Sequence, residues 1–185
     1  MVFRAGRASG FTLTELMATI AIAAVGASLA LPALTGAVAD QQRAGAINEL
    51  VSSLHLARNT AITRNAAVTV CASNNGETCT DSNWELGWIV FPDADLDRSP
   101  DSGELLASGR PGGQILLRSD EFSPHLSYRP AGQLMIDRPD QNSGEFVVCD
   151  PLRADSARVV VILPAGMPRL TDKRLNGAAP QCPEE

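Results

Sequence analysis

Residues 10–34, which read GFTLTELMATIAIAAVGASLALPAL, form an almost unbroken apolar run that follows a single glycine. A helix needs roughly 20 apolar residues to cross the hydrocarbon core of a bilayer, so residues 11–34 are long enough to form the membrane-spanning half of a helix. Arg4 and Arg7 precede the run, and positive residues stay on the cytoplasmic side of a membrane. The sequence therefore predicts a single-pass inner-membrane protein with a cytoplasmic N-terminus and a periplasmic domain.

Glu15 is the one charged residue in this apolar run. An unpaired carboxylate inside a bilayer is costly, so such a residue is a candidate for a function that offsets the cost. The alternative interpretation is that Glu15 lies near the membrane interface and stays solvated. A secretory signal peptide is not indicated, because its small residue would follow a shorter apolar core, whereas Gly10 comes before the run.

After the first half of the helix, apolar residues recur at three- and four-residue steps, which predicts an amphipathic helical half over residues 35–65. The chain then changes to short segments rich in β-branched and aromatic residues and separated by Gly, Pro, Asn and Asp. Seven strands are predicted, at 67–72, 85–91, 114–118, 126–129, 133–136, 145–149 and 157–163. One long helix followed by antiparallel strands predicts an α+β domain whose sheet packs on the amphipathic face of the helix.

Four cysteines, Cys71, Cys79, Cys149 and Cys182, allow three disulfide pairings. We favour Cys71–Cys79 and Cys149–Cys182, because the two loops so closed do not cross. A zinc site is the alternative, but the sequence has no C-x-x-C pair and its two histidines do not fall at ligand spacing. Disulfides indicate a compartment outside the cytosol.

The formal net charge of −6 excludes a general affinity for nucleic acid, because phosphate binding needs clustered cations. The sequence contains no nucleophile elbow, phosphate loop or dinucleotide fingerprint. Two histidines leave little general-base capacity near neutral pH. We therefore expect no enzymatic activity.

Five acidic residues follow the spacing of a calcium loop. They take positions one, three, five, nine and twelve of that pattern: Asp93, Asp95, Asp97, Asp101 and Glu104. The sixth position, where the pattern needs glycine, is Arg98, and the predicted flanks are strands rather than helices. Calcium binding is one interpretation of this loop, and a solvated turn is the other, because aspartate favours turns. No other cofactor is expected.

The segment GFTLTEL, from Gly10 to Leu16, resembles the type IV prepilin signature of a glycine, a phenylalanine and a glutamate as the fifth mature residue. The resemblance implies that residues 1–10 are a leader. A prepilin peptidase would cut between Gly10 and Phe11 and methylate the new N-terminus. The mature chain would then have 13 basic against 21 acidic residues, a formal charge of −8, since Arg4 and Arg7 leave with the leader.

The same resemblance implies roles for two residues of the helix. In the family, the glutamate that corresponds to Glu15 meets the N-terminal amine of a neighbouring subunit during assembly. Pro32 stands where pilins carry a helix-kinking proline, which removes one backbone hydrogen bond. The helix would thus bind other major and minor pilins.

From Arg58 to Leu106 the sequence is similar to the GspH/FimT group of minor pilins and pseudopilins, through the pieces ARNTAITRNAAVTVCAS, WELGWIVFPDADLD and SGELL. Two cysteine pairs resemble the FimT/FimU minor pilins more than secretion-system pseudopilins. The resemblance implies a type IV pilin fold with a periplasmic β-rich domain over residues 66–185. It also implies a structural role, as a minor pilin that helps to initiate a type IV pilus at or near its tip. The alternative is a pseudopilin of a type II secretion system.

The C-terminal segment from about residue 164 is rich in proline, glycine and charge, and is predicted to be a tail tied down only at Cys182. Some FimT-like minor pilins bind DNA in natural transformation through a Gly-Arg-x-Arg motif in this tail. Here the sequence at 166–169 is Gly-Met-Pro-Arg, so the first arginine is missing. The resemblance makes three cations candidates for binding double-stranded DNA, and solvation of the tail is the alternative: Arg169, Lys173 and Arg174.

Overall fold

The computed structural model describes residues 10–101, 103–135 and 142–182, except for the side chains of 29–34 and 154. The predicted leader therefore lies outside the described residues, apart from Gly10. The chain divides into two compact units, Met1–Ala39 and Asp40–Glu185.

The first unit contains the beginning of helix α1, which runs over Leu13–Arg64. Thr12 caps this helix: its hydroxyl accepts a hydrogen bond from the amide of Glu15 at 3.3 Å, and its carbonyl accepts one from the amide of Leu16 at 3.1 Å. Among the described residues, no helix combines the length and the apolar character needed to cross a membrane. The membrane-spanning half at 11–34 stays a prediction.

The second unit begins with the remainder of α1, whose buried side chains recur at helical spacing. They are Ala46, Ile47, Leu50, Leu54, Ala57 and Ala61. The helix ends because Asn65 adopts a left-handed conformation with φ of 50°, which lets the amide of Ala66 bond to the carbonyl of Ala61 at 3.3 Å. The amphipathic pattern read from the sequence is therefore the face that packs on the domain.

Within the described residues, nine antiparallel strands follow and form two sheets. The first sheet has the order β3-β2-β1-β5-β6, with β1 at Val68–Ala72, β2 at Trp88–Pro92, β3 at Ala107–Gly109, β5 at His125–Tyr128 and β6 at Leu134–Met135. The second sheet has the order β4-β7-β8-β9, with β4 at Leu116–Arg118, β7 at Gly144–Asp150, β8 at Arg153–Ile162 and β9 at Pro168–Thr171. The sequence predicted one sheet, and the structure shows two.

The core lies between the buried face of α1 and one face of each sheet. Phe146 of β7 connects this core to the loops. The Phe146 ring packs edge-on against Trp84, with 4.9 Å between the ring centroids, and lies beside Phe122 with a centroid distance of 5.1 Å. The indole of Trp84 also donates a hydrogen bond to the carbonyl of Phe122 at 3.1 Å. Burial of this cluster, in which aliphatic side chains outnumber aromatic ones, favours the packing of the sheets on the helix. The α+β prediction is confirmed.

The sequence missed β3 and β9, which are both end strands of their sheets. β3 reads Ala-Ser-Gly and β9 begins on a proline, so neither has the β-branched and aromatic pattern of a central strand. Proline is tolerated on an end strand, because one side of such a strand needs no ladder hydrogen bond.

Two disulfides join Cys71 to Cys79 and Cys149 to Cys182, with Cα–Cα distances of 5.5 and 5.8 Å. These are the pairs favoured from the sequence. The first closes the loop after β1, and the second ties the end of the chain to β7.

Candidate functional sites

The predicted processing site lies at the start of the described chain. Gly10 and Phe11 are both exposed, and Phe11 keeps 80% of its surface accessible. Glu15 is exposed as well, and within the described residues its carboxylate has no hydrogen-bond or ion-pair partner. The helix backbone continues through residue 32, whereas the side chain of Pro32 lies outside the description. Cleavage at Gly10 and the roles of Glu15 and Pro32 stay predictions.

The acidic loop after β2 brings together three of its five predicted carboxylates. Oxygens of Asp93, Asp95 and Asp97 all lie within 4.8 Å of one another. Asp101 and Glu104 do not belong to this group. They form a turn of their own, in which the amide of Glu104 donates to the carbonyl of Asp101 at 3.0 Å.

Asp93 differs from its neighbours because it is buried, with only 2% of its surface exposed. Its carboxylate accepts a hydrogen bond from the Thr69 hydroxyl at 2.6 Å and one from the amide of Arg98 at 3.3 Å. The Thr69 hydroxyl is also 2.6 Å from that of Ser127. A buried carboxylate needs such donors, and these already hold Asp93 in place. Thr69 and Ser127 could not be predicted as partners of this loop, because they lie on other strands, β1 and β5.

Arg98 occupies the position where the calcium pattern needs glycine, and its φ of 63° is the left-handed conformation that glycine adopts most easily. The loop thus has the turn of the pattern without the residue that favours it. Calcium binding stays a prediction.

The three candidate DNA-binding cations differ in their surroundings. Arg169 on β9 and Lys173 just after it are exposed, and neither has a carboxylate partner among the described residues. Arg174 instead donates from Nε to Oε1 of Glu145, which is 3% exposed on β7. The amide of Leu175 donates to the other oxygen of Glu145 at 2.6 Å.

The hydrogen bond to Glu145 raises the pKa of Arg174 above its ordinary value, although partial burial opposes the shift. This segment is therefore not a tail held only at Cys182, as the sequence suggested: it is a strand followed by a segment bound to β7. The sequence analysis did not predict a role for Glu145, because no local pattern indicates that its partner is Arg174, 29 residues away.

A second cation, Arg58 of α1, joins two turns of the domain. Its Nε donates to the carbonyls of Gly132 at 3.1 Å and Ala165 at 3.3 Å. The nearby phenol of Tyr128 is fully buried, and its hydroxyl has no partner within the described structure. Burial raises the pKa of Tyr128 well above its ordinary value, and the charge of Arg58 lowers it by a smaller amount.

Comparison with known proteins places these features in a family. The family model of the type II transport protein GspH matches residues 46–166, well over half of the chain. The prokaryotic N-terminal methylation motif matches residues 6–31. A comparison with curated proteins gave no match.

Two crystal forms of the type IV minor pilin FimU from Pseudomonas aeruginosa PAO1 have a similar fold. One aligns with a TM-score of 0.56 at 21% identity, over 77% of this chain and 95% of that chain. The other aligns with a TM-score of 0.53 at 23% identity, over 74% of this chain and 96% of that chain. This similarity confirms the predicted type IV pilin fold.

The family and the fold are those of structural pilins, which interact with other pilins and with the pilus machinery. Such proteins are typically anchored in a membrane and carry a periplasmic domain. With a methylation motif at its N-terminus and a helix packed on two antiparallel sheets, this chain belongs to the GspH family of pilin-like proteins and has a minor pilin or pseudopilin role.

Proposed function

We propose that the chain is a structural minor pilin of a type IV pilus and helps to initiate assembly at or near the tip. The observation that carries this proposal is Glu15, an exposed carboxylate in the first turn of α1 that has no partner among the described residues. Once lipid or other helices cover the apolar residues beside it, such a carboxylate needs a cation from elsewhere. The N-terminal amine of a neighbouring subunit, freed when prepilin peptidase cuts between Gly10 and Phe11, would be that cation.

Before assembly, the first half of the helix is proposed to lie in the inner membrane. Support comes from the large apolar side chains of the first unit, which are exposed and need a covering. Among residues 11–28 they are Phe11, Leu13, Leu16, Met17, Ile20, Ile22 and Val25. Lipid would cover them before assembly, and the helices of other pilins would cover them afterwards. The domain then lies in the periplasm, where its disulfides persist.

The test replaces Glu15 by Ala and by Gln in the full chain, in cells that assemble the pilus. We expect incorporation into sheared pili to fall about tenfold or more, because a lost interaction of only about 1.4 kcal/mol already corresponds to tenfold. The matched control is Glu77→Ala, which removes an exposed carboxylate from the domain. All three variants should melt like the parent, and normal incorporation of Glu15→Ala would overturn the proposed docking.

A second candidate is a pseudopilin of a type II secretion system, and the specific observation that favours it is the match to the type II transport protein GspH. Deletion of the gene separates the two. We expect surface pili to be lost and protein secretion to continue. Loss of secretion with pili intact would contradict the minor-pilin proposal and identify the chain as a pseudopilin.

A further inference from the structure

Strand β9 is the last strand of its sheet and has an open side. Its residues Pro168–Thr171 pair with Ile162–Val159 of β8 on one side only. On the other side, the backbone groups of β9 make no backbone hydrogen bond within the described residues. Pro168 has no N–H to donate, so the open amides and carbonyls of the rest of this edge are the template for pairing with another extended chain.

The side chains along β9 combine apolar surface with positive charge. Leu170 is 56% exposed and Met167, just before the strand, is 47% exposed. Arg169 and Lys173 are exposed without a carboxylate partner among the described residues. Successive side chains of a strand point to opposite faces, so Arg169 and Leu170 mark one charged and one apolar face of this edge.

The chain is held firmly on both sides of β9. Before it, the amide of Gly166 bonds to the carbonyl of Leu163 at 2.8 Å, and Arg58 binds the carbonyl of Ala165. After it, Arg174 and the amide of Leu175 bind the buried Glu145. An edge that is already ordered loses little conformational entropy when it binds a partner.

We propose that the open edge of β9 takes up an extended, acidic segment of another protein subunit as an additional strand. A polypeptide backbone can satisfy the open row of amides and carbonyls, whereas nucleic-acid phosphates would meet only the two cations. On the added strand, neighbours on the same face interact, so a carboxylate would lie beside Arg169 and an apolar side chain beside Leu170. The segment should therefore alternate acidic and apolar residues.

Charge supports this choice of partner. The mature chain would have a net charge of −8, so an acidic segment is repelled by most of its surface. At the β9 edge it is attracted by Arg169 and Lys173, which outnumber the exposed Asp172 between them. This inference does not rest on the proposed function, since a subunit of either a pilus or a pseudopilus could use such an edge. The opposing interpretation is that the two cations only protect the edge from pairing.

The test uses the full chain in a non-ionic detergent and measures fluorescence anisotropy of labelled peptides. The probe is a peptide that alternates Val and Glu. Its length of about nine residues lies within the usual range for a strand. Two peptides serve as controls: one carries N-methyl groups on alternate backbone amides, and one has Lys in place of Glu. A DNA duplex of about 20 base pairs is titrated in parallel at two salt concentrations.

The variant is Arg169→Gln with Lys173→Gln, and its matched control is Arg64→Gln with Arg110→Gln, which removes two exposed cations elsewhere. We expect the acidic peptide to bind, and binding to weaken at least about tenfold with the N-methyl peptide and with the β9 variant. Hydrogen exchange at the amides of 169–171 should slow when the peptide binds.

Three results would overturn the proposal. Equal binding of the N-methyl peptide would mean charge attraction without strand pairing. Failure of the acidic peptide to bind would favour cations that only protect the edge. Salt-sensitive DNA binding that depends on Arg169 and Lys173, without peptide binding, would instead identify a phosphate-binding surface.

Discussion

Arg174 donates a hydrogen bond to Glu145 across 29 residues of sequence, and this pair binds the C-terminal segment to strand β7. Glu145 is 3% exposed, whereas a third of the Arg174 side chain remains exposed. A buried carboxylate that loses its cation becomes an uncompensated charge. The pair therefore stabilises the segment that follows β9.

Replacement of Arg174 by Gln should lower the free energy of unfolding by about 1–3 kcal/mol. This is less than a fully buried pair would lose, because the guanidinium is partly screened by solvent. Arg169→Gln is the control and should change it by no more than about 0.5 kcal/mol, since Arg169 is exposed and has no such partner. Urea unfolding of both variants measures the difference. Equal stability of the two would show that the pair contributes nothing.

The turn between β8 and β9 should accept only glycine at position 166. Gly166 has a φ of +76°, and a Cβ there would overlap the carbonyl oxygen of Gly132 and lie 3.0 Å from a ring carbon of Tyr128. Gly76 is the matched control, because its φ is +74° and a Cβ there meets nothing within 4 Å.

Alanine at position 76 should therefore lower the free energy of unfolding only by the strain of a left-handed backbone, about 1–2 kcal/mol. Alanine at position 166 should lower the free energy of unfolding by the same strain and by about 1–3 kcal/mol more, because its Cβ overpacks the turn. Thermal and urea unfolding of the two variants give the comparison. Similar losses in both would mean that the turn moves away from Gly132 at no cost.

The only tyrosine of the chain should titrate above its ordinary range in the folded protein. Burial of Tyr128 disfavours the phenolate and raises its pKa, and Arg58 opposes this by a smaller amount. The unfolded chain then releases the proton first, at about pH 10, so stability should be unaffected below that pH and fall as the pH rises above it.

Absorbance of the phenolate during an alkaline titration checks this, because no other tyrosine contributes. The midpoint should return to about 10 in concentrated urea. Tyr128→Phe should remove the signal and reduce the alkaline loss of stability. A midpoint near 10 in the folded protein would contradict the burial of the hydroxyl.

The acidic loop after β2 should keep its conformation without calcium. Asp93 is already held by Thr69 and by the amide of Arg98, so the loop does not need a cation to satisfy its buried carboxylate. We expect the same melting temperature with added calcium and with a chelator. A calcium-dependent rise that Asp97→Asn removes, and that Glu77→Asn does not, would establish the metal site instead.

Patterns between near neighbours in the chain were readable from the sequence. The spacing of Ile47, Leu50 and Leu54 predicted the buried face of α1, because a helix repeats every 3.6 residues whatever packs against it. The strongly β-branched strands were predicted for the same kind of reason. The end strand β9 was not, since Pro168 and Arg169 carry no strand pattern and pair only because β8 offers an edge.

The sequence by itself determined the N-terminal motif with Glu15, the long helix, the central strands and the favoured cysteine pairs. Tertiary structure alone decided that the described strands form two sheets and that Asp93 is buried against Thr69. It also decided that Arg174 pairs with Glu145, whereas Arg169 remains exposed. The physical reason is that periodicity and capping are local, whereas the partner of a charge depends on which distant strands meet and in which register.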